Sequence, residues 1–287
     1  MISAVLLALA SGATWAIGMT VAKPALRHID VLSYLLWRWT IVTIVALGFS
    51  WVSGALAFPS LYAVGMAALA GFLDSTLGGL TYLVAMRRAP AYQTTTLAST
   101  APVWGVAAAI LLLSEPLRWQ VIVAAVCAVL GAYFLVGKKL QIKEHLTGSL
   151  LALLTGFLWG LAETIPSKLA LNAGLSPASL LLVFAASGVV TVVMLFPLLR
   201  QRIPRRITRT GMGFTLLAAL GGAFLGWMLW LTALALAPAS VVSPIRGSTL
   251  VFALIYSILF LRERPGSRAL LGAGLVLAGV VLVSTVG

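Results

Sequence analysis

The sequence predicts an all-α integral membrane protein in which ten transmembrane helices form two inverted-topology repeats of five helices each. Three observations predict this fold class. The 287 residues are 61% hydrophobic and only 9% charged, whereas an ordinary globular domain is about 25% charged. The apolar residues fall into ten runs, and the second half of the chain repeats the first. This composition excludes a soluble domain, a disordered chain and, with Cys127 as the single cysteine, a disulfide-stapled scaffold.

The ten apolar runs follow one another with short connections. A spanning helix needs about 20 mostly apolar residues, and these runs are continuous, whereas spanning β-strands alternate. No Lys or Arg precedes the first run, so we expect a span there rather than a signal peptide. The longest connections, 137–147 and 200–209, leave no room for a soluble domain. The predicted spans are residues 3–21, 31–52, 59–86, 92–113, 119–136, 148–168, 177–199, 210–235, 239–261 and 268–286.

An internal repeat relates the two halves. Ala89-Pro90-Ala91 recurs 148 residues later as Ala237-Pro238-Ala239, and Trp15 recurs 144 residues later as Trp159. A nearly constant offset across five spans indicates a duplication. We therefore divide the chain into a first repeat over 1–137, a basic linker over 138–147 and a second repeat over 148–287.

Because five is an odd number, the second repeat enters the membrane from the opposite side. The connections after spans 1, 3, 5, 7 and 9 hold fifteen of the nineteen Lys and Arg residues, and the other connections hold only Arg118 and Lys168. Cytoplasmic loops carry an excess of Lys and Arg, so we predict that the basic connections are cytoplasmic. The net charge of +13 is then an orientation signal, and we expect no nucleic-acid partner.

Charged side chains inside the spans are the first candidates for a ligand site, because each is costly in a membrane. Glu163 lies four residues after Trp159 and so on the same helical face, and its repeat partner is Met19. Two alternatives are open for this carboxylate. It binds an amine or a proton in a cavity, or it pairs with Lys168 where Pro166 breaks the helix.

Two spans carry matching stripes of residues at four-residue steps. These are Asp74, Gly78 and Tyr82 in the third span and Gly222, Gly226 and Trp230 in the eighth. The stripes are either two facing walls of a cavity, with a carboxylate for proton coupling, or glycines for close helix packing. An aromatic ring with a polar edge suits a cavity, although it also suits the membrane interface.

Arg246 and Ser243 lie in the ninth span, beside a proline and a glycine that loosen the helix. The guanidinium suits the carboxylate of a ligand or of Asp74; alternatively, it snorkels from a span end. The fourth span offers hydroxyls at the opposite position, at Thr95 and Ser99. They bind a ligand or return hydrogen bonds to their own helix.

Other polar residues are interpreted as structural. We expect Arg38, in the second span, to snorkel or to form an ion pair. Glu115 and Glu263 close matched spans, so we expect them to pair with Arg118 and Arg264 or to cap the next helix. Cys127 and the two histidines lack partners at metal-site spacing, and we expect neither a metal nor a cofactor.

On these residues the chain resembles the drug/metabolite transporter superfamily, specifically its EamA-type branch. The resemblance covers the whole chain. Within the branch, the overall sequence and the Trp- and Tyr-rich inner face resemble the YddG-type exporters of aromatic amino acids. One departure is that Leu250 stands where a counterpart of Pro102 would be. The residues that carry the resemblance are Trp15 and Trp159, the two Ala-Pro-Ala turns, Pro102, Glu115 and Glu263.

The resemblance implies a secondary transporter of the bacterial inner membrane, not an enzyme, with both termini periplasmic. It would export small amphipathic metabolites, most readily amino acids and first the aromatic Phe, Trp and Tyr, by alternating access. We expect a monomer whose partners are the small-molecule substrate and the lipid bilayer. The site would lie at the midplane between the repeats, lined by spans 1, 3, 4, 6, 8 and 9.

The predicted substrate-binding residues come from these spans. In this assignment four aromatic rings form a slot, Arg246 meets a substrate carboxylate and Glu163 meets an amine. Asp74 and Glu163 are the candidates for proton coupling. The full set is Trp15, Met19, Gly78, Tyr82, Thr95, Ser99, Trp159, Glu163, Trp230, Ser243 and Arg246.

Alternative functions stay open at this point. The chain has no Walker A sequence, so ATP is not its energy source. Export of other drugs or metabolites is one alternative. Antiport of nucleotide sugars or phosphosugars is a weaker one, because such anions call for several cationic side chains and the spans hold only Arg38 and Arg246. A passive channel is a remote one.

Overall fold

The computed structural model describes residues 1–136, 142–198, 208–261 and 266–286. Within these ranges the regular structure is entirely helical. Nine helices are long and apolar enough to cross a membrane, and a tenth apolar helix is shorter. The prediction of an all-α fold with ten membrane helices is therefore confirmed. Part of the predicted linker, residues 138–141, and Glu263 lie outside the described residues.

We label the ten spans α1 to α10. The fourth and ninth are interrupted: α4 comprises Ala91–Ala98 and Ala101–Leu112, and α9 comprises Ala239–Val242, the 3₁₀ segment Ser243–Gly247 and Ser248–Leu261. The others are α1 Ile2–Ala25, α2 Val31–Val52, α3 Leu61–Arg88, α5 Trp119–Val136, α6 Leu146–Asn172, α7 Pro177–Leu198, α8 Arg209–Leu236 and α10 Ser267–Ser284.

Helix starts are capped at equivalent positions of the two repeats. The Ser60 hydroxyl accepts a hydrogen bond from the Ala63 amide at the start of α3. At the start of α8, 148 residues later, the Thr208 hydroxyl accepts one from the Gly211 amide. Such caps satisfy amides that have no partner within the helix. The shared caps therefore preserve the helix starts although the loop sequences differ.

The sixth span continues through its proline, contrary to the expectation that Pro166 ends the helix. Helix α6 runs to Asn172 with Pro166 inside it. A proline leaves the carbonyl four residues earlier without an amide donor. The Ser167 hydroxyl donates to that carbonyl, of Ala162, at 2.8 Å. This substitution of a hydroxyl for the missing amide explains why the helix persists.

The two repeats intertwine rather than pack as separate units. Helix α1 packs against α8 and α9 of the second repeat, and α6 packs in the same way against α3 and α4 of the first. Two further pairs, α2 with α7 and α5 with α10, each join equivalent helices of the two repeats. The packed core therefore lies between the repeats, around the axis that relates them.

Helix interruptions lie next to this axis. Residues Phe72–Gly78 of α3 and Ala218–Phe224 of α8 form π-helical turns at nearly matching positions of the repeats. A π-helical turn shifts the side-chain register and is frequent at functional sites. The 3₁₀ segment of α9 contains Pro244, which cannot donate to a helical hydrogen bond.

The α5–α10 pair provides a test of the packing, because its close approach depends on Gly272. A Cβ at Gly272 would lie 2.6 Å from the carbonyl oxygen of Gly131, whereas a Cβ at Gly274, two residues on, meets nothing within 4 Å. We expect Gly272→Val to lower the Tm in detergent by several degrees, because α5 must move away. The matched Gly274→Val variant should melt like the wild type. Equal melting temperatures of all three proteins would contradict the packing.

Candidate functional site

A cavity lies between the repeats at the axis of the fold. The volume that the centre of a water molecule can reach inside it is about 70 Å³. This is room for several waters. Its walls come from α1, α2, α3, α6, α8 and α9. The expected lining by α4 is wrong for the described residues, and α2 takes its place. Helix α4 packs against α6 without contributing to the lining, whereas α2 contributes Arg38 and Trp39.

The centre of the site is an ion pair between Arg246 and Glu163. Nε of Arg246 lies 2.5 Å from Oε2 of Glu163. Only 8% of Arg246 and 2% of Glu163 is exposed. The guanidinium carbon also lies 5.3 Å from the ring centre of Trp15 and 4.9 Å from that of Trp159. A cation between two aromatic faces is stabilised by both ring quadrupoles. The sequence left Asp74 and Lys168 open as partners of these two charges, and neither forms the pair.

Each of the two indoles packs against the opposite repeat in the same way. Trp15 contacts Trp230, with ring centres 5.2 Å apart, and Trp159 contacts Tyr82 at 4.9 Å. A Cβ at Gly226 would lie 2.7 Å from Nε1 of Trp15, and a Cβ at Gly78 would lie 2.7 Å from Nε1 of Trp159. The two glycines thus make room for the two indoles.

Seven of the predicted residues line the cavity together. They are Trp15, Met19, Asp74, Tyr82, Trp159, Glu163 and Arg246. Trp230 lies behind this lining, where its indole N–H donates to the backbone carbonyl of Glu163 at 3.3 Å. Gly78 also stays behind it, under the Trp159 ring.

The predicted hydroxyl residues do not line the cavity. Ser99 donates to the carbonyl of Thr95 at 2.7 Å, which is the own-helix alternative. The Thr95 hydroxyl lies 3.5 Å from that of Tyr82, so it contacts the lining from behind. The Ser243 hydroxyl is buried with no hydrogen-bond partner.

The structure adds cavity residues that the sequence interpretation missed. Arg38 is half-buried, lines the cavity and forms no ion pair within the described part of the chain, so the ion-pair alternative is not met there. Its neighbour Trp39 also lines the cavity and begins a row of ring contacts through Phe184 and Trp227 to Trp15. The sequence feature that indicates this position is the charge of Arg38 inside a span, between two tryptophans.

Helix ends beside the second Ala-Pro-Ala turn are held by two charged side chains. The carboxylate of Glu115, from the first repeat, accepts hydrogen bonds at 2.8 Å from the amides of Ala239 and Ser240. The ammonium of Lys168 donates to the carbonyls of Leu234 and Ala237. Glu115 therefore caps a helix, as one of its two expected roles proposed, but the capped helix is α9 of the opposite repeat and not the next helix along the chain. These contacts complement the charges of the helix ends.

The chain is similar to known proteins in sequence and in fold. A family model described as the EamA-like transporter family matches residues 2–137 and 146–285. A solved structure titled "Crystal structure of protein" is similar over 100% of this chain and 97% of its own, with 15% sequence identity and a TM-score of 0.80. This likeness shows a shared fold. None of the curated proteins matches the chain.

The central ion pair predicts strong energetic coupling. Removal of one partner leaves a buried charge uncompensated, which typically costs about 3–5 kcal/mol. We expect Arg246→Gln and Glu163→Gln each to lower the Tm in detergent, and the double variant to be more stable than the sum of the two losses implies. Arg87→Gln, at an exposed position of α3, is the control. Strictly additive losses would show that the two side chains are not coupled.

Proposed function

Because the chain belongs to the EamA-like transporter family, within the drug/metabolite transporter superfamily, we propose which substrate it moves and how. The proposed function is export of small amphipathic metabolites, amino acids and first the aromatic ones, across the bacterial inner membrane by alternating access. The observation that carries this proposal is the cavity between the repeats, which combines aromatic walls with charges of both signs. An amino acid presents the same combination of groups.

The charge balance of the cavity favours a zwitterion over an anion. Its lining holds two guanidinium groups, Arg38 and Arg246, and two carboxylates, Asp74 and Glu163. Their formal charges cancel. Nucleotide sugars and phosphosugars carry several negative charges and need an excess of cationic side chains. These substrates therefore fit the cavity less well than neutral zwitterions.

The aromatic rings provide the apolar part of the proposed site. Trp15, Trp39, Tyr82, Trp159 and Trp227 all contribute to the lining. Aromatic pairs gain energy at offset or edge-on geometries, and a planar substrate ring adopts such a geometry against these walls. Because Arg246 and Glu163 neutralise each other, we assign them a structural role in the site. In that role they hold the Trp15 and Trp159 rings in place.

Buried hydroxyls on α9 support alternating access. Ser243, Ser248 and Thr249 each have a buried hydroxyl with no hydrogen-bond partner among the residues that the structure describes. Such groups are costly and rare in a static core. In our proposal they are hydrated in the alternative conformation, when α9 separates from the helices that now cover it. In the conformation described, the contacts of Glu115 and Lys168 hold the start of α9 and the end of α8 together. In our proposal these contacts close the site on that side.

Transport by purified protein tests the substrate assignment. Proteoliposomes preloaded with unlabelled L-phenylalanine should accumulate labelled L-phenylalanine by counterflow, which a channel does not support. A panel of labelled amino acids, with and without a pH gradient, ranks substrates and shows whether protons are coupled. Such coupling would act through Asp74 or Glu163. Absence of counterflow for every amino acid would overturn the proposed substrate class.

A variant of the central cation links this transport to the cavity. We expect Arg246→Ala to reduce the initial rate of counterflow at least tenfold, because Glu163 loses its partner and both indoles lose their contact. Arg87→Ala should retain the wild-type rate. Melting curves of each protein show whether it is folded. Unchanged transport by a folded Arg246→Ala protein would contradict the role of this residue.

The membrane orientation is also a proposal, supported by the charge bias of the connections. We expect both termini to be periplasmic, so alkaline phosphatase fused to the C-terminus should be active in bacterial cells. Green fluorescent protein at the same position should stay dark. The converse result, a bright fluorescent fusion and an inactive phosphatase, would reverse the orientation.

A further inference from the structure

Two charged side chains of the cavity, Arg38 and Asp74, form no salt bridge within the described part of the chain. The described part of the chain contains one ion pair, that of Arg246 with Glu163. Arg38 and Asp74 both line the same cavity and take no part in it. Nε of Arg38 is buried with no hydrogen-bond partner. Asp74 is only 6% exposed.

Arg38 is half-buried and Asp74 is buried, and a charge without a counterion inside a membrane protein carries a high cost. A buried guanidinium or carboxylate normally has a counterion and saturated hydrogen bonds. Water in the cavity satisfies part of this requirement. A ligand with complementary charges satisfies more of it, because it replaces mobile waters with fixed hydrogen bonds.

The local structure holds both groups in place. Arg38 lies over the Trp39 ring, 5.0 Å from its centre, and the Trp39 N–H donates to the carbonyl of Ser75 at 3.3 Å. Ser75 follows Asp74 in the π-helical turn of α3. The Trp39 indole therefore contacts both the Arg38 guanidinium and the backbone next to Asp74.

From these observations we propose that Arg38 and Asp74 form the receptor for the zwitterionic head of the substrate. Arg38 binds the α-carboxylate and Asp74 binds the α-ammonium group. The apolar side chain of the substrate lies against the rings of Trp39, Trp227 and Trp15. This inference rests on the proposed transport of amino acids and deepens it. In this assignment Arg38 and Asp74 recognise the two substrate charges, in place of Arg246 and Glu163.

Three labelled compounds separate the two charge contacts: L-phenylalanine, phenethylamine, which lacks the carboxylate, and 3-phenylpropionate, which lacks the ammonium group. Their equilibrium binding is measured on full-length protein in nanodiscs at pH 7. Arg38→Gln should weaken binding of phenylalanine and phenylpropionate about tenfold or more, and that of phenethylamine less than about threefold. Asp74→Asn should weaken binding of phenylalanine and phenethylamine and spare phenylpropionate.

Controls distinguish recognition from a structural effect. Arg38→Lys keeps the charge and should restore part of the phenylpropionate affinity, although it loses bidentate geometry. Arg87→Gln and Glu144→Gln remove the same charges at exposed positions and should bind all three compounds like the wild type. Equal losses for all three compounds in Arg38→Gln or Asp74→Asn would assign those residues a structural role and overturn the inference.

The outcome also separates this inference from the proposed function. If the wild type binds and transports phenylalanine while both variants bind it normally, the receptor assignment is wrong and the transport proposal stands. If the wild type neither binds nor transports any amino acid, both are wrong. Charge-selective losses in the two variants support the receptor directly.

Discussion

A buried guanidinium in the centre of the molecule, that of Arg246, has one carboxylate and two indole rings as its neighbours. A charge in this position is costly unless every neighbour compensates it. Glu163 supplies the opposite charge, and Trp15 and Trp159 supply aromatic faces from the two repeats. In this conformation these contacts join α1, α6 and α9 around the cavity.

Duplication explains why the two indoles occupy equivalent places. Each lies over a glycine of the opposite repeat and beside an aromatic ring one turn further along, Tyr82 in one repeat and Trp230 in the other. The charges break this symmetry, because Met19 and Gly222 stand opposite Glu163 and Asp74. The repeat thus builds a symmetric aromatic frame, whereas its charged residues differ between the two halves. A transporter of zwitterions needs both properties, an apolar slot and charges placed at one end of it.

Several parts of the site were accessible from the sequence because they depend on local spacing. Trp159 and Glu163 share a helix face at a four-residue step, and seven predicted residues line one cavity. Other parts depend on distant segments. The choice of Glu163 over Asp74 as the partner of Arg246, and the inward position of Arg38, follow from how α2, α6 and α9 approach one another. No local pattern encodes that approach. The continuation of α6 through Pro166 likewise depends on one hydroxyl, of Ser167, whose rotamer the sequence does not specify.

The sequence by itself determined the membrane fold, the number of spans and the duplication. These follow from hydrophobic length and from an offset along the chain, which are properties of the chain alone. The tertiary structure decided that Arg246 pairs with Glu163 and that Arg38 and Asp74 take no part in that pair. In a membrane interior that decision depends on distances of a few ångströms between side chains far apart in sequence, because each buried charge is stabilised only by what it directly contacts.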